Sequence, residues 1–243
     1  MPHRAGLILH PSTAAVVAAA LLLSGCAGPP PLNGPAAGAA KPPPPLPKRN
    51  ATVYRVDRSE SQIRIRVYRA GPLADVGHNH VITSSDIHGC IYLHHRLADS
   101  GFRLTIPVTG LNVDPPAARA QEGKGFEGRL DKADRRGTRK HMLGASVLDA
   151  AKYPVITLRS IAVAGPPWYP RITVRVTLHG HSRDYVVPTA IARNGQRLVA
   201  TGGLQLQQTR FGIRPYSVLG GGLRVANRID VAFHLVAVPA GGS

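Results

Sequence analysis

The chain has 243 residues, with a hydrophobic fraction of 43% and an aromatic fraction of only 5%. Its 30 lysines and arginines outnumber its 13 aspartates and glutamates, which gives a formal net charge of +17. The cations are spread along the chain, and no helix-turn-helix, zinc-finger or RNP-like pattern presents them, so we expect no nucleic-acid partner. A solvated basic surface or contact with an anionic membrane fits this charge better.

The first 26 residues have the pattern of an export signal. A weakly basic start with Arg4 precedes an apolar run from Ala14 to Leu23, which is shorter than the roughly 20 residues that span a bilayer. The run leads into Leu23-Ser24-Gly25-Cys26, which resembles the lipobox of bacterial lipoproteins. That resemblance implies a signal peptide over residues 1–26, lipidation at Cys26 and a membrane-anchored protein of the cell envelope or periplasm. An ordinary secretory signal is the alternative.

Residues 27–52 are rich in proline, glycine and alanine and include Pro42-Pro43-Pro44-Pro45. Such a segment buries too little apolar surface to fold, and its prolines favour an extended backbone. We therefore expect a disordered, semi-stiff linker that holds the folded domain away from the anchoring membrane.

From Val53 onward the chain alternates apolar and polar residues, which is typical of strands with one buried face. The pattern is clearest where Ile63, Ile65 and Val67 alternate with polar residues. It recurs in segments 102–108, 172–178 and 229–235, and more weakly in 155–161, 185–192 and 198–207. With segment 78–93 these runs predict roughly eight to ten strands, which favours an all-β fold, either a closed barrel or a sandwich. Asn194-Gly195 predicts a hairpin.

The segment from Ala117 to Ala151 departs from this alternation. It is charged, it lacks a two-residue period, and Pro154 follows it. Apolar residues such as Met142 and Leu148 would allow one or two short helices to pack against the sheet. As the only long insertion between strands, the segment is predicted to form a lid over one end of a barrel.

Two His-x-His pairs are candidate metal ligands, His78 with His80 and His179 with His181. Alternate residues of an extended chain project to one side, where two neutral imidazoles could share zinc or a haem iron. No carboxylate or cysteine motif completes a familiar ligand set. The competing interpretation is that these histidines hydrogen-bond to loop backbone or to the headgroup of a ligand.

The sequence contains no motif that announces catalysis. It has no Gly-x-Ser-x-Gly elbow, phosphate loop, dinucleotide fingerprint or His-Glu-x-x-His. Cys90 is the only thiol left if Cys26 is acylated, and a catalytic cysteine needs a base placed beside it. We expect Cys90 to be a buried, unpaired residue and the protein not to be an enzyme.

Several segments, taken in order, resemble the YceI-like family of bacterial exported proteins. They are Tyr54 to Asp57, Gly77 to His80 with Gly89, the helical segment that runs into Tyr153-Pro154, the turn Leu178-His179-Gly180, and Arg210 to Ile213. The resemblance implies a lipocalin-like, eight-stranded antiparallel β-barrel with a short helical lid over residues 53–239. It also implies a non-enzymatic carrier whose interior holds a polyisoprenoid, an isoprenoid quinone or a fatty-acid derivative, without a resident cofactor.

The apolar residues that face inward in such a barrel are the candidate ligand-binding residues. They are Ile63, Ile65, Val67, Ile87, Ile91, Phe102, Leu104, Ile106, Ile172, Val174, Val176, Phe211 and Phe233. Small side chains and few aromatics favour an interior with room for a ligand, although the same residues could fill a dry core. His78, His80 and Arg139 are the candidate headgroup contacts at the rim. We expect a monomer or a homodimer.

Overall fold

The computed structural model describes residues 50–241, so the predictions for the signal peptide, for Cys26 and for most of the linker lie outside the described residues. A single sheet of 12 strands forms most of this part of the chain. The first six strands are β1 (Thr52–Val56), β2 (Gln62–Ala70), β3 (His80–Ser84), β4 (His88–Leu93), β5 (Gly101–Pro107) and β6 (Asn112–Val113). The last six are β7 (Val155–Ala164), β8 (Arg171–Leu178), β9 (His181–Asn194), β10 (Arg197–Gln207), β11 (Ser217–Val218) and β12 (Leu223–Pro239).

The sheet closes on itself as an eight-stranded antiparallel barrel, as the resemblance implied. The ring follows the order β1-β4-β5-β7-β8-β9-β10-β12, and β1 pairs back onto β12. β2, β3 and β6 continue the sheet from the first part of β12, and β11 also pairs with β12. Closure satisfies backbone groups that an open sheet would expose along its edges.

The long strand β12 makes this closure possible, because one of its edges serves two partners in turn. Arg224 to His234 pair with β2, and Ala237 to Pro239 pair with β1. At the change of partner, the Val236 N–H donates to the Ser61 hydroxyl at 2.9 Å, and that hydroxyl donates to the Val236 carbonyl at 3.2 Å. The Ser61 side chain thus provides hydrogen bonds to the backbone of Val236, at the point of β12 that lies between its pairing with β2 and its pairing with β1.

The pairing register places the alternating apolar residues on one face. Ile63, Ile65 and Val67 of β2 lie opposite Phe233, Val231 and Ile229 of β12. Since side chains alternate between the two faces of a strand, all of these residues share the inner face of the barrel.

The charged insertion contains two helices, α1 (Pro116–Ala120) and α2 (Lys132–Leu143). Asp131 caps α2, because its side chain accepts from the Asp134 N–H at 2.7 Å while the Asp134 carboxylate accepts from the Asp131 N–H at 3.1 Å. Met142 and Leu143 pack against the barrel core. Among residues 50–241, no helix combines the length and the apolar composition that a bilayer crossing needs.

The prediction of roughly eight to ten strands was too low, since the described sheet has 12. β6 and β11 have only two residues each, which is too short for alternation to show. Segment 78–93 forms two strands, because Ser85 to Ile87 interrupt it. The hairpin at Asn194-Gly195 is confirmed: Asn194 pairs with Arg197, and Gly195 has a φ of 59°.

At Gly89 the neighbouring strands β4 and β5 approach each other closely. Its φ is 139°, and a Cβ atom there would collide with the carbonyl oxygen of Arg103 on β5. We predict that Gly89→Ala lowers the free energy of unfolding by at least about 2 kcal/mol, measured by urea denaturation. Gly137→Ala is the matched control: Gly137 lies in α2, where an added methyl group would have nothing within 4 Å, so this change should raise stability by up to about 1 kcal/mol. Equal effects of the two changes would contradict the close approach.

Candidate functional site

The barrel encloses a cavity of about 370 Å³, which is within the range of roughly 300–1,000 Å³ that small-molecule sites occupy. Nearly all predicted lining residues form its wall: Ile63, Ile65, Val67, Ile87, Ile91, Phe102, Leu104, Ile106, Ile172, Val174, Val176 and Phe233. The interior is therefore not filled by its own side chains, which was the alternative left open by the sequence.

Phe211 is the exception among the predicted lining residues. It is fully buried, but it packs in a second cluster beside the cavity, with its ring centroid 6.4 Å from that of Tyr185. Phe211 ends a short 3₁₀ segment that follows β10, so the inward alternation of a strand does not apply to it.

Sequence reasoning missed part of the wall. Val187 and Ile191 of β9 line the cavity, as do Met142 of α2 and Leu148 just beyond that helix. The β9 residues lie in a weakly alternating run, where the period-two signal was faint. The lid residues carried no strand signal, and only their apolar character in a charged segment indicated that they pack inward.

The two ends of the cavity differ in chemistry. At one end, which we call the closed end, Tyr54, Leu198 and Ala237 form a tightly buried apolar cluster. The other end, which we call the lid end, contains the end of β5, the start of β7 and the end of β10. Apart from Thr189, whose hydroxyl donates to the Val187 carbonyl at 3.2 Å, the polar lining residues concentrate at the lid end: His80, Thr138, His141, Gln208 and Tyr216.

His141 and Tyr216 mark the opening of the cavity. Both residues line it, and their ring centroids lie 4.7 Å apart. His141 is exposed to solvent as well, so the contact lies where the cavity meets the surface. It joins the last turn of α2 to the segment just before β11. We call this place the mouth.

His80 is held by a buried carboxylate. Its Nδ1 lies 2.6 Å from Asp114 Oδ2, and the Asp114 side chain has 0% exposure. The other Asp114 oxygen accepts from the Val81 N–H at 2.9 Å and from the Arg119 guanidinium at 3.0 Å. Arg119 also donates to the carbonyl of Asn79 at 2.7 Å. This network joins β3 to the insertion.

The network keeps Asp114 ionised. Burial alone would raise the pKa of the Asp114 carboxyl, but the hydrogen bond and charge of His80 act in the opposite direction. With the Val81 N–H and Arg119 they hold the pKa below its ordinary value. An ionised carboxylate only accepts hydrogen bonds, so His80 Nδ1 must carry a hydrogen. Nε2 is then the ring atom available to a ligand in the cavity.

The other two predicted rim residues do not line the cavity. His78 is exposed and lies in the loop that precedes β3. Arg139 of α2 donates to the carbonyl of Thr109 at 2.6 Å and to that of Leu111. Its guanidinium therefore fastens the lid helix to the segment after β5. The alternation of His78 with His80 could not reveal that β3 begins only at His80.

Three histidines of the two pairs form hydrogen bonds within the chain. His80 pairs with Asp114 through Nδ1 alone, and His179 Nδ1 donates to the Phe211 carbonyl at 3.1 Å. His181 Nδ1 donates to the His179 carbonyl at 2.8 Å. Within residues 50–241, no group of three or more histidine, cysteine, aspartate or glutamate residues is arranged to hold an ion. The contacts of His179 and His181 match the interpretation that these histidines hydrogen-bond to loop backbone, whereas His80 pairs with a side chain.

Cys90 is not buried as the sequence analysis expected. It is a free, half-buried cysteine on the outer face of β4, in a shallow depression lined also by Arg55, Arg58 and His88. Small apolar character alone predicted burial, whereas the register places Cys90 opposite Arg55 and Arg103, on the outer face.

The fold and the apolar cavity define a barrel of the kind that encloses a ligand. The family profile of the YceI-like domain matches residues 54–237, and the chain belongs to the YceI-like family. No curated protein matches the chain.

Two solved structures share the fold. BcnA from Burkholderia cenocepacia is 18% identical with a TM-score of 0.54, and the match covers 75% of this chain and 99% of BcnA. A polyisoprenoid binding domain from Saccharophagus degradans, implicated in plant cell wall breakdown, is 11% identical with a TM-score of 0.52. That match covers 78% of this chain and 99% of the domain. At these identities the likeness concerns the fold alone.

The ionised state of Asp114 predicts a dependence of stability on pH. A carboxyl whose pKa is lowered in the folded state stabilises the fold above its ordinary pKa of about 3.9, and this stability is lost as the pH falls through the folded-state value. Asp114→Asn should lower the free energy of unfolding by about 3–5 kcal/mol near neutral pH, because Arg119 loses its buried counter-charge.

The measurement is urea denaturation of parent and variant between about pH 3 and pH 7, where the difference should shrink as the parent's carboxyl becomes protonated. Asp75→Asn is the control, since the Asp75 side chain is 99% exposed and its loss should change stability by less than about 0.5 kcal/mol. If the difference in stability between parent and Asp114→Asn stays constant down to about pH 3, Asp114 is not the ionised group proposed here.

Proposed function

We propose that this protein binds, sequesters or transports a long apolar lipid in the bacterial cell envelope without chemical transformation. The observation that carries the proposal is the cavity of about 370 Å³, whose wall consists almost entirely of aliphatic and aromatic side chains. Each methylene that such a wall removes from water stabilises the complex by about 0.8 kcal/mol. The ligand classes in view are a polyisoprenoid, an isoprenoid quinone or a fatty-acid derivative.

The polar end of the cavity favours a ligand with a neutral head. The cavity lining within the described residues contains no lysine, arginine, aspartate or glutamate, so a buried phosphate or free carboxylate would lack a full counter-charge. Burying an unpaired ion is costly. His80, Gln208 and Tyr216 instead supply groups that pair with a hydroxyl, a carbonyl or an amide.

The comparisons support this proposal at the level of family and fold. The structurally similar domain from Saccharophagus degradans is described as polyisoprenoid binding, and a closed barrel of eight strands has room for one small ligand when its inward side chains do not meet. Binding is the activity that this arrangement serves.

The N-terminal sequence supports a location at a membrane. A lipidated Cys26 would hold the chain at the bilayer from which an apolar ligand comes or to which it goes, and several acyl chains on one residue give stable anchoring. The proline-rich linker over residues 27–52 would set the reach of the barrel. Whether the barrel acts alone or as a homodimer does not alter this mechanism, because the cavity lies within one chain.

Material purified from the native host should carry its ligand. We predict that organic extraction of the folded chain, followed by mass spectrometry, yields a neutral prenyl or acyl lipid in about equimolar amount, because such a ligand leaves an apolar cavity only slowly. The same chain denatured before purification serves as the control for adhering membrane lipid. Extracts with the same lipid content from both preparations would refute specific binding.

Filling the cavity should weaken ligand binding. Val174 is 6% exposed and faces the cavity, whereas Val186 on the adjacent strand is 53% exposed and faces outward. Val174→Trp should weaken binding of the neutral fluorescent probe N-phenyl-1-naphthylamine at least about tenfold, which corresponds to about 1.4 kcal/mol. Val186→Trp should leave it unchanged.

Folding of both variants is checked by circular dichroism and thermal unfolding. If Val174→Trp does not fold, the smaller change Val174→Phe gives a graded test, with a loss of probe affinity that is partial and in the same direction. Unchanged affinity in a folded Val174 variant would show that the probe binds elsewhere.

A further inference from the structure

Three large aliphatic side chains are exposed together at the lid end. Leu73, Val76 and Leu219 are 43%, 69% and 67% exposed. They lie in two loops that touch, because the Leu73 N–H donates to the Gly222 carbonyl at 2.8 Å. We call this group the apolar tip. Exposed aliphatic clusters are uncommon on soluble surfaces and indicate contact with another apolar surface.

The apolar tip lies beside the mouth of the cavity. Tyr216 lines the mouth, and β11 leads from it directly to Leu219. At about 3.3 Å per residue, the three steps from Tyr216 to Leu219 span at most roughly 10 Å. The second loop begins at the same place, since Ala70 pairs with Arg224 next to β11.

The backbone at Leu219 is strained in a way that internal packing does not explain. Its φ is 53°, a left-handed conformation that residues with a Cβ atom adopt only at a cost. Glycine follows at positions 220, 221 and 222 and would adopt this conformation freely. A leucine held in this conformation with most of its side chain in solvent indicates a role outside the folded chain.

Cations flank the apolar tip and the mouth. Lys132, Arg136 and Lys140 are exposed on α2, and their spacing of four residues places them along one face of the helix. The exposed Arg224 adds a further cation beside the tip.

Carboxylates near this surface are fewer than the cations. Asp75 lies within the tip loop with its side chain 99% exposed, 3.5 Å from the Arg69 guanidinium. Asp131 and Asp134 are occupied in the capping box at the start of α2. The surface around the mouth therefore combines an apolar tip with an excess of positive charge.

We propose that the apolar tip and the cationic face of α2 dock the lid end onto an anionic lipid bilayer, with the mouth of the cavity facing the membrane. Aliphatic side chains that enter the acyl boundary beside cations that contact anionic headgroups are the combination by which proteins bind membrane surfaces. A protein partner fits less well, because the tip has no aromatic anchor of the kind found in interface hot spots. The purpose of docking, passage of lipid through the mouth, rests on the proposed function.

The opposite end of the barrel provides a matched control. Trp168 and Tyr169 are 68% and 52% exposed in the loop between β7 and β8. This loop lies at the closed end, away from α2. Exposed aromatics also favour membrane interfaces, so replacing them tests whether the choice of end is right.

The test uses the processed chain, residues 26–243, with Cys26→Ser so that no acyl anchor contributes. Binding to vesicles of phosphatidylglycerol and phosphatidylethanolamine is measured by co-sedimentation and compared with vesicles of phosphatidylcholine alone. We expect the parent to bind the anionic vesicles. The triple variant Leu73→Ser, Val76→Ser, Leu219→Ser should bind them at least about tenfold more weakly, and Arg136→Gln with Lys140→Gln should weaken binding to anionic vesicles most at low salt.

The control variant Trp168→Ser, Tyr169→Ser should bind within about twofold of the parent, since the closed end does not dock on this proposal. If this variant loses more vesicle binding than the tip variant does, the proposal is overturned and docking is assigned to the closed end. Absence of binding by the parent to anionic vesicles, or full binding by the tip variant, would overturn it as well.

Affinity for N-phenyl-1-naphthylamine in solution, measured on the same variants, separates the two proposals. Retained probe binding with lost vesicle binding in the tip variant supports docking and shows that the fold and cavity are intact. If the tip variant retains both probe binding and vesicle binding, the docking proposal is overturned and the proposed function is unaffected. Failure of the parent to bind the probe would count against the proposed function whatever the vesicles show.

Discussion

The pairing of β1 with the last residues of β12 is the constraint on which the rest of the structure depends. Ala237 to Pro239 extend beyond the part of β12 that pairs with β2, and they receive β1. The Ser61 hydroxyl bridges the backbone of Val236 where the partner changes. Because the ring closes here, every strand presents one face to a common interior, and a simple two-residue alternation becomes a continuous apolar wall.

Closure also explains why the two ends of the barrel carry different chemistry. At the closed end, strands converge on the packed cluster of Tyr54, Leu198 and Ala237. At the lid end a helix covers the opening, and helices present polar side chains between apolar ones, so His141 can reach Tyr216 at the surface while Met142 faces the cavity. The opening through which a ligand would enter and the polar residues that would contact it therefore lie at the same end of the barrel.

His80 shows how the polar end is held in place. Its ring is oriented by Asp114, which is itself fixed by the Val81 N–H and by Arg119. A buried carboxylate with several donors is rigid and remains ionised, so the imidazole presents one defined nitrogen to the cavity. The charge of Asp114 that positions His80 thus lies between β6 and α1, immediately before the insertion that supplies the lid.

The local sequence pattern by itself determined the positions of most strands and of the lid. The alternation around Ile63, Val174 and Val231 identified strands and their inner faces, because the period of side chains along a strand is independent of its partners. The charged segment before Pro154 identified the lid, and resemblance supplied the barrel topology. Only the tertiary structure decided which polar residues meet. Asp114 reaches His80 across a gap of 34 positions, and Phe211 packs beside the cavity without lining it. Such contacts depend on how strands and loops pair and not on the sequence around either residue.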